Sequence, residues 1–395
     1  MKPILLGALP CLLMAQVQPR PIPYAELAAR LRPGPEILRT EALLAERARD
    51  TNAIRGFLRE GPTLSLSAGP RTSPQQATTT DQAVELDLPL FLSPRLRKDL
   101  LNSYDQASPL LRAAARIEAR FHLRLAYLDA WAEDRIARWR DLDLDTLRDW
   151  LRVARKRVET GADPAFQLSL VEGEWLRAQQ DRDEAHRFAR EAWARLRLLT
   201  EVPVAPMPLE EPGAPVLPPP QGLAERFTGS VLPRALGARR SLEQDTLRVQ
   251  EAIAQSRWSL RGTTSREGEE HVTRLGLAYR LPRPGETASL RQVRETQIRV
   301  MEQDLASQSM NLEARLRAAL DRLEAARQTD LPQPVGLDRA LKAVELRLVE
   351  GKERPSEALP IRRQLLEAHI AQVKRLRSLH ALVAELEALT TGDLS

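Results

Sequence analysis

The side chains with the widest chemical reach are His122, His186, His271, His369 and His380. No two stand three or four residues apart, the spacing that puts two imidazoles on one helix face for a metal. His369 and His380 share a helix face but lie about 16 Å apart along it. Asp141, Asp143 and Asp145 begin like a calcium loop, yet the glycine and closing glutamate of such a loop are missing. The three read as a solvated helix segment. The sequence has no phosphate-binding glycine loop and no nucleophile elbow. Its only cysteine is Cys11. Nothing supports catalysis, a cofactor or a metal, so the sequence reads as a protein that is not an enzyme.

Charge and composition bound the class. Charged residues make up 29% of the 395, aromatics 4%, and glycine only 18 positions. A chain this rich in Leu, Ala, Arg and Glu is dominated by long helices. Scarce aromatics and glycine argue against a β-sandwich or a dinucleotide-binding fold, and a 43% hydrophobic fraction argues against disorder. The net charge of +5 comes from 59 basic and 54 acidic residues interleaved along helices. That pattern belongs to solvated faces and predicts no nucleic-acid partner.

The amino terminus predicts a secretory signal peptide over residues 1–15. Lys2 precedes an apolar run from Ile4 to Ala15, and polar sequence starts at Gln16. The mature chain would then have no cysteine, which excludes disulfides and thiolate chemistry. Beyond this segment no apolar run of about 18 residues predicts a transmembrane helix.

The rest of the chain reads as two copies of one plan. Residues 16–201 form the first repeat and 223–395 the second. Between them, 202–222 carry eight of the 29 prolines and read as an extended linker. Each repeat predicts a helix (35–60; 233–257) and two alternating segments (63–69 with 83–92; 258–265 with 271–281). A long helix (95–158; 288–349), a break at Gly161 or Gly351, and a last helix (165–200; 356–390) follow. A 60-residue helix would be about 90 Å long. The two last helices carry matching heptad seams, from Leu168 and Val171 to Leu199 and from Ala358 and Ile361 to Leu389. At the first break, Gly161 suits a left-handed helix end, Asp163 a cap, and Pro164 a first helical position.

The alternating segments predict strands with one apolar face. Val84, Leu86, Leu88, Leu90 and Leu92 oppose Glu85 and Asp87; Leu275, Leu277 and Tyr279 oppose Arg274 and Arg280. Strands of this length and pattern suit a soluble sheet covering a helical core or, with Trp258 and Tyr279 at the interfaces, a transmembrane β-barrel, and the strand count bears on the choice. Four strands cannot close a barrel, whereas three copies would supply twelve. Glu85, Asp87, Arg274 and Arg280 are barrel-lumen candidates that either pair across strands or tune ion passage.

On these residues the chain resembles the outer membrane efflux protein family, the TolC-like channels of tripartite pumps. The resemblance spans nearly the whole mature chain. It rests on Gly34-Pro35 before the first helix, on Leu88-Pro89 ending a strand, and on Arg157-Val158-Glu159-Thr160-Gly161 followed by Leu176 and Ala178. The last motif returns as Leu348-Val349-Glu350-Gly351 with Leu366 and Ala368.

The resemblance implies a fold that is mainly α with a small β part. Duplicated long helical hairpins would form a periplasmic α-barrel, and four strands per chain a trimeric twelve-stranded barrel in the outer membrane. It implies a homotrimer in outer membrane lipid, acting as a passive duct with a periplasmic adaptor protein and an inner-membrane pump. Adaptor contact would fall at Thr160, Gly161, Asp163, Glu350, Gly351 and Lys352. The family's best-known branch carries acidic residues six and nine positions after the second glycine. Here these are Glu357, which would form an acidic entrance ring, and Pro360, which cannot. The equivalent of Glu357 in the first repeat is Gln167. The alternative is a periplasmic coiled-coil scaffold or adaptor without a barrel, but an adaptor carries one central hairpin rather than two in a repeat.

Overall fold

The structure is a computed structural model that describes residues 20–53, 63–73, 76–90, 94–200, 208–255, 258–267, 270–279, 286–328, 334–350 and 352–392. The expected signal peptide, Arg280 and Gly351 lie outside the described residues. The chain divides into two compact units. One contains Met1–Arg32, Leu123–Pro215 and Pro332–Arg377, and the other Pro33–His122, Val216–Leu331 and Ser378–Ser395.

Thirteen elements follow along the described chain: α1 (Tyr24–Ala29), α2 (Pro35–Ala53), β1 (Thr63–Ser73), β2 (Gln76–Pro89), α3 (Pro94–Glu159), α4 (Ala165–Leu199), α5 (Leu223–Gly229), α6 (Val231–Gln255), β3 (Trp258–Glu267), β4 (Glu270–Tyr279), α7 (Glu286–Arg327), α8 (Pro334–Val349) and α9 (Pro355–Thr390). The fold is mainly α with one four-stranded sheet, as the sequence implies. Helix α3 is continuous for 66 residues and accommodates Pro109. Its buried line, Ile136, Asp143, Leu147, Trp150 and Ala154, advances by three, four or seven residues and so stays on one helix face.

In the first unit four helices share one core. Leu144, Leu147, Trp150 and Ala154 of α3 meet Val171 and Ala178 of α4, Val344 and Leu348 of α8, and Ala358 and Leu359 of α9. The small residues of α4 (Ala178, Ala185, Ala189, Ala192) are buried in heptad steps, which lets helices approach closely. Near α1, Ile22 bridges Leu209, and the Tyr127 hydroxyl donates to the Glu210 carbonyl at 2.7 Å. Burial pushes the Tyr127 phenol up to about 12, so it remains a donor.

In the second unit, Leu44, Leu100, Ala107, Leu111, Leu242 and Val249 pack α2, α3 and α6 together. Leu223, Ala319, Leu323, Leu382 and Leu386 join α5, α7 and α9. The sheet is antiparallel throughout, in the order β1-β2-β3-β4. Its central pair joins strands from opposite halves of the sequence.

Four expectations are corrected. The helix expected over 288–349 is two helices, with α7 ending at Arg327 and α8 starting at Pro334. Pro332 and Pro334 lack the N–H groups that a continuous helix needs. In α9 the expected seam holds at Ala358, Leu379, Leu382, Leu386 and Leu389, but between Ala358 and Leu379 the buried line runs through Leu359, Arg362, Leu366, His369, Ile370 and Val373, while Ile361 is exposed. The strands also reach further than the alternating apolar residues, because β1 and β2 continue through polar sequence to Ser73 and Gln76. Finally, Asp143 is not part of a solvated segment; it is 7% exposed and pairs with Arg362.

Candidate functional site

Two chain reversals in the first unit carry the expected tip residues. At the end of α3, Gly161 adopts φ +72°, the left-handed region that a side chain disfavours. The Ala162 N–H donates to the Arg157 carbonyl at 2.8 Å and the Gly161 N–H to the Val158 carbonyl at 3.0 Å. This six-to-one and five-to-two pair is the Schellman closure of a helix. A Cβ at Gly161 would meet nothing within 4 Å, so conformation alone demands glycine there. Gly161→Ala is therefore expected to cost about 1–2 kcal/mol and Gly161→Asn less. Thermal unfolding of both variants checks this.

Asp163 does something other than the expected capping. The residue preceding α4 is Pro164, and no side chain caps from that position. Instead the Asp163 carboxylate is buried and clasps Arg157, with Nε 2.6 Å from Oδ2 and Nη2 donating to Oδ1 at 3.2 Å. The clasp ties the last turn of α3 to the residue after the reversal. Asp163 thus faces inwards, while Thr160 is exposed.

The second reversal repeats this construction 190 residues later. The Lys352 N–H donates to the Arg347 carbonyl at 2.9 Å, as Ala162 does to Arg157. Arg347 Nη1 donates to Glu353 Oε1 at 2.8 Å, as Arg157 pairs with Asp163. Glu350 and Lys352 form an exposed ion pair at 2.7 Å. Both arginine clasps escaped the sequence reading. Arg157 and Arg347 stand four residues before their glycines, and that shared offset was the available sign.

The two reversals also touch. Gln167, 2% exposed, donates from Nε2 to Ser356 Oγ at 3.1 Å and accepts the Ser356 N–H at Oε1 at 3.0 Å. Gln167 of α4 therefore caps α9. Glu357 lies exposed in the first turn of α9, and Pro360 follows within that helix.

Further along α9, Arg362 (4% exposed) donates from Nη2 to the Asp143 carbonyl at 2.6 Å and pairs with its carboxylate at 2.5 Å. The guanidinium lies 5.3 Å from the Trp150 ring centre. Burial pushes the Asp143 carboxyl up, opposed by Arg362. Nearby, burial also pushes the Glu345 carboxyl above its ordinary value, against the pull of Arg362 and a hydrogen bond with Thr146. A raised carboxyl favours folding below its unfolded value, and that contribution is lost as pH rises through the folded value. Glu345→Gln should thus stabilise the protein at about pH 7 and lose its advantage below about pH 4. Unfolding midpoints across that range check the sign.

In the second unit, strand register separates two chemistries. One face carries the row Leu64, Leu86, Gly262 and Leu275, flanked by Leu88, Leu260 and Leu277 on one side and Leu66 and Val84 on the other. This face is bare: Leu66 is 75% and Leu275 78% exposed. At its end Trp258 and Tyr279 pair, with ring centres 4.9 Å apart. The opposite face carries Thr63, Ser65, Glu85, Asp87, Arg261, Thr263 and Arg274.

Of the lumen candidates, Glu85 and Asp87 have a partner on β3 that the sequence reading did not name. The cross-strand partner is Arg261, whose Nε is 2.7 Å from Glu85 Oε1 and whose Nη2 is 3.8 Å from Asp87 Oδ2. Arg274 shares a row with Glu85 but stands on β4, with Thr263 of β3 between them. Arg280 lies outside the described residues. Among the described residues, no group of three or more His, Cys, Asp or Glu side chains suits a metal, and no helix is long and apolar enough to cross a membrane.

The sequence matches no family model and no curated protein. Solved structures resemble it over almost its whole length. The outer membrane protein VceC of Vibrio cholerae aligns with a TM-score of 0.70 at 15% identity, covering 93% of this chain and 96% of its own. The CmeC outer membrane channel of Campylobacter jejuni gives 0.70 at 13%, covering 93% and 85%. The open MtrE outer membrane channel of Neisseria gonorrhoeae gives 0.62 at 15%, covering 93% and 88%. The chain has the fold of these outer membrane proteins.

Proposed function

From that fold we propose that the chain is one third of a passive outer membrane duct in an efflux or export system. The observation that carries this is the sheet. Its apolar face is bare, its polar face is lined by charge, and β1 and β4 end it with no further strand among the described residues. A bare apolar face of this kind needs a cover, and unpaired edges invite more strands. Lipid meets the first need, and closure with two further copies meets the second by making twelve strands. Glu85, Asp87, Arg261 and Arg274 then line the lumen. A periplasmic scaffold has no use for the bare face.

The rest of the proposal follows the resemblance. Residues 1–15 direct export, the two repeats 16–201 and 223–395 build the helical walls, and the linker 202–222 joins them. The reversals at Thr160, Gly161, Glu350, Gly351 and Lys352 meet a periplasmic adaptor, with Asp163 holding its turn from within. An inner-membrane pump supplies the energy. Adaptor binding that favours an open state opens the entrance. The experiment is conductance of the purified protein in planar bilayers. Discrete channels, with unit conductance changed by Arg261→Glu, support the duct; absence of channels from an assembled, membrane-extracted protein refutes it.

A further inference from the structure

The two reversals match closely except at one point. Thr160 N–H donates to the Lys156 carbonyl as Glu350 N–H does to Leu346, and the arginine clasps and helix closures correspond at the same 190-residue offset. Pro355 and Ser356 open α9 as Ala165 and Phe166 open α4. The second N–H of a helix has no partner within it. In α9 that group, Ser356 N–H, is accepted by Gln167. In α4 it is Phe166 N–H, and among the described residues no side chain accepts it. The 190-residue counterpart of Gln167 is Glu357, which is exposed and whose carboxylate makes no hydrogen bond or ion pair among the described residues. Phe166 is 58% exposed.

Within one chain, then, the first reversal caps the second, and the second is left holding a free acceptor while the first holds a free donor. We propose that Glu357 of one copy accepts the Phe166 N–H of the next copy, so that the contact made by Gln167 and Ser356 inside each chain is repeated between chains. The proposal rests on the trimeric reading above. It also accounts for the residue types. Ser356 offers a hydroxyl oxygen, so its partner needs the amide donor of glutamine as well as an acceptor. Phe166 offers no such atom, so an acceptor-only carboxylate suffices, and the positive end of α4 favours its charge. Glu357 thereby serves the seam between copies rather than an acidic ring on the channel axis. Each copy gives one carboxylate and receives another, so the contact closes around the ring.

The test uses full-length protein with Cys11→Ser, which leaves no other cysteine. Phe166→Cys and Glu357→Cys are made singly and together, extracted in mild detergent, and treated with a short bismaleimide. The mass of the untreated assembly is measured on the same samples. The expected result is covalent two- and three-chain species from the double variant and single chains from either single variant. Cross-linking of Glu357→Cys alone would put the three side chains together on the axis and overturn the proposal. A three-chain assembly in which the double variant stays uncrosslinked would overturn it too, leaving the duct reading intact. A single-chain mass would overturn both. Function gives a second readout. Glu357→Ala should raise the open fraction in bilayers about fivefold per lost cap, whereas Glu357→Gln, which keeps an acceptor, should stay near the parent and keep its ion selectivity. Loss of cation selectivity in Glu357→Gln would mark the axial ring instead.

Discussion

Leu275→Arg is expected to remove the protein from its assembled, membrane-inserted form. Leu275 is among the most exposed apolar side chains of the chain and sits in the row of Leu64, Leu86 and Gly262. If that row faces hydrocarbon, an arginine near the bilayer midplane costs about 2–4 kcal/mol. That is roughly a 30- to 1000-fold shift per copy, and three copies incur it in one barrel. The control is Ser65→Arg. Ser65 is also exposed, but it lies on the other face beside Glu85 and offers the new guanidinium a carboxylate. The measurement is the fraction of each variant recovered from outer membranes as a folded oligomer. Near-complete loss for Leu275→Arg with retention of Ser65→Arg is expected. Equal recovery would mean that the bare face is not in lipid.

The second large effect concerns Asp143 and Arg362. Asp143→Leu leaves a guanidinium at 4% exposure without its carboxylate. Breaking a buried pair from one side costs about 3–5 kcal/mol. In a unit of this size that lowers the unfolding midpoint by on the order of 10 °C. The double variant Asp143→Leu with Arg362→Met replaces both charges by apolar atoms and should recover most of the loss. The difference between the double variant and the sum of the singles measures the coupling. A single variant within about 0.5 kcal/mol of the parent would show that the pair is solvated in the assembled protein.

The same two residues show where sequence reading stops. Helices α4, α6 and α9 and the sheet were legible because apolar residues repeat every three to four positions in the helices and every two in the strands. Heptad reasoning looks for apolar side chains, so it passed over a charged pair on a buried line. Yet Asp143 lies seven residues after Ile136 and four before Leu147, and Arg362 lies four before Leu366. An acid and a base on two buried lines are what a buried pair looks like in one dimension. The break between α7 and α8 was written in Pro332 and Pro334. The pairing of β2 with β3 was not legible. Glu85 and Asp87 meet Arg261 because β2 pairs with β3, a contact between strands 170 residues apart that no local pattern encodes. At the reversals the glycine was visible, while the arginine clasp and the Gln167 cap depend on side-chain directions fixed only by the turn.

The central claim is that three copies close one barrel in the outer membrane, and the most direct measurement is where the native protein sits and in what assembly. Inner and outer membranes are separated, the protein is extracted in mild detergent, and the mass of its protein component is determined. The account predicts an outer-membrane species of three chains. A single chain in the soluble periplasmic fraction would contradict it and reassign the strands to a small soluble sheet.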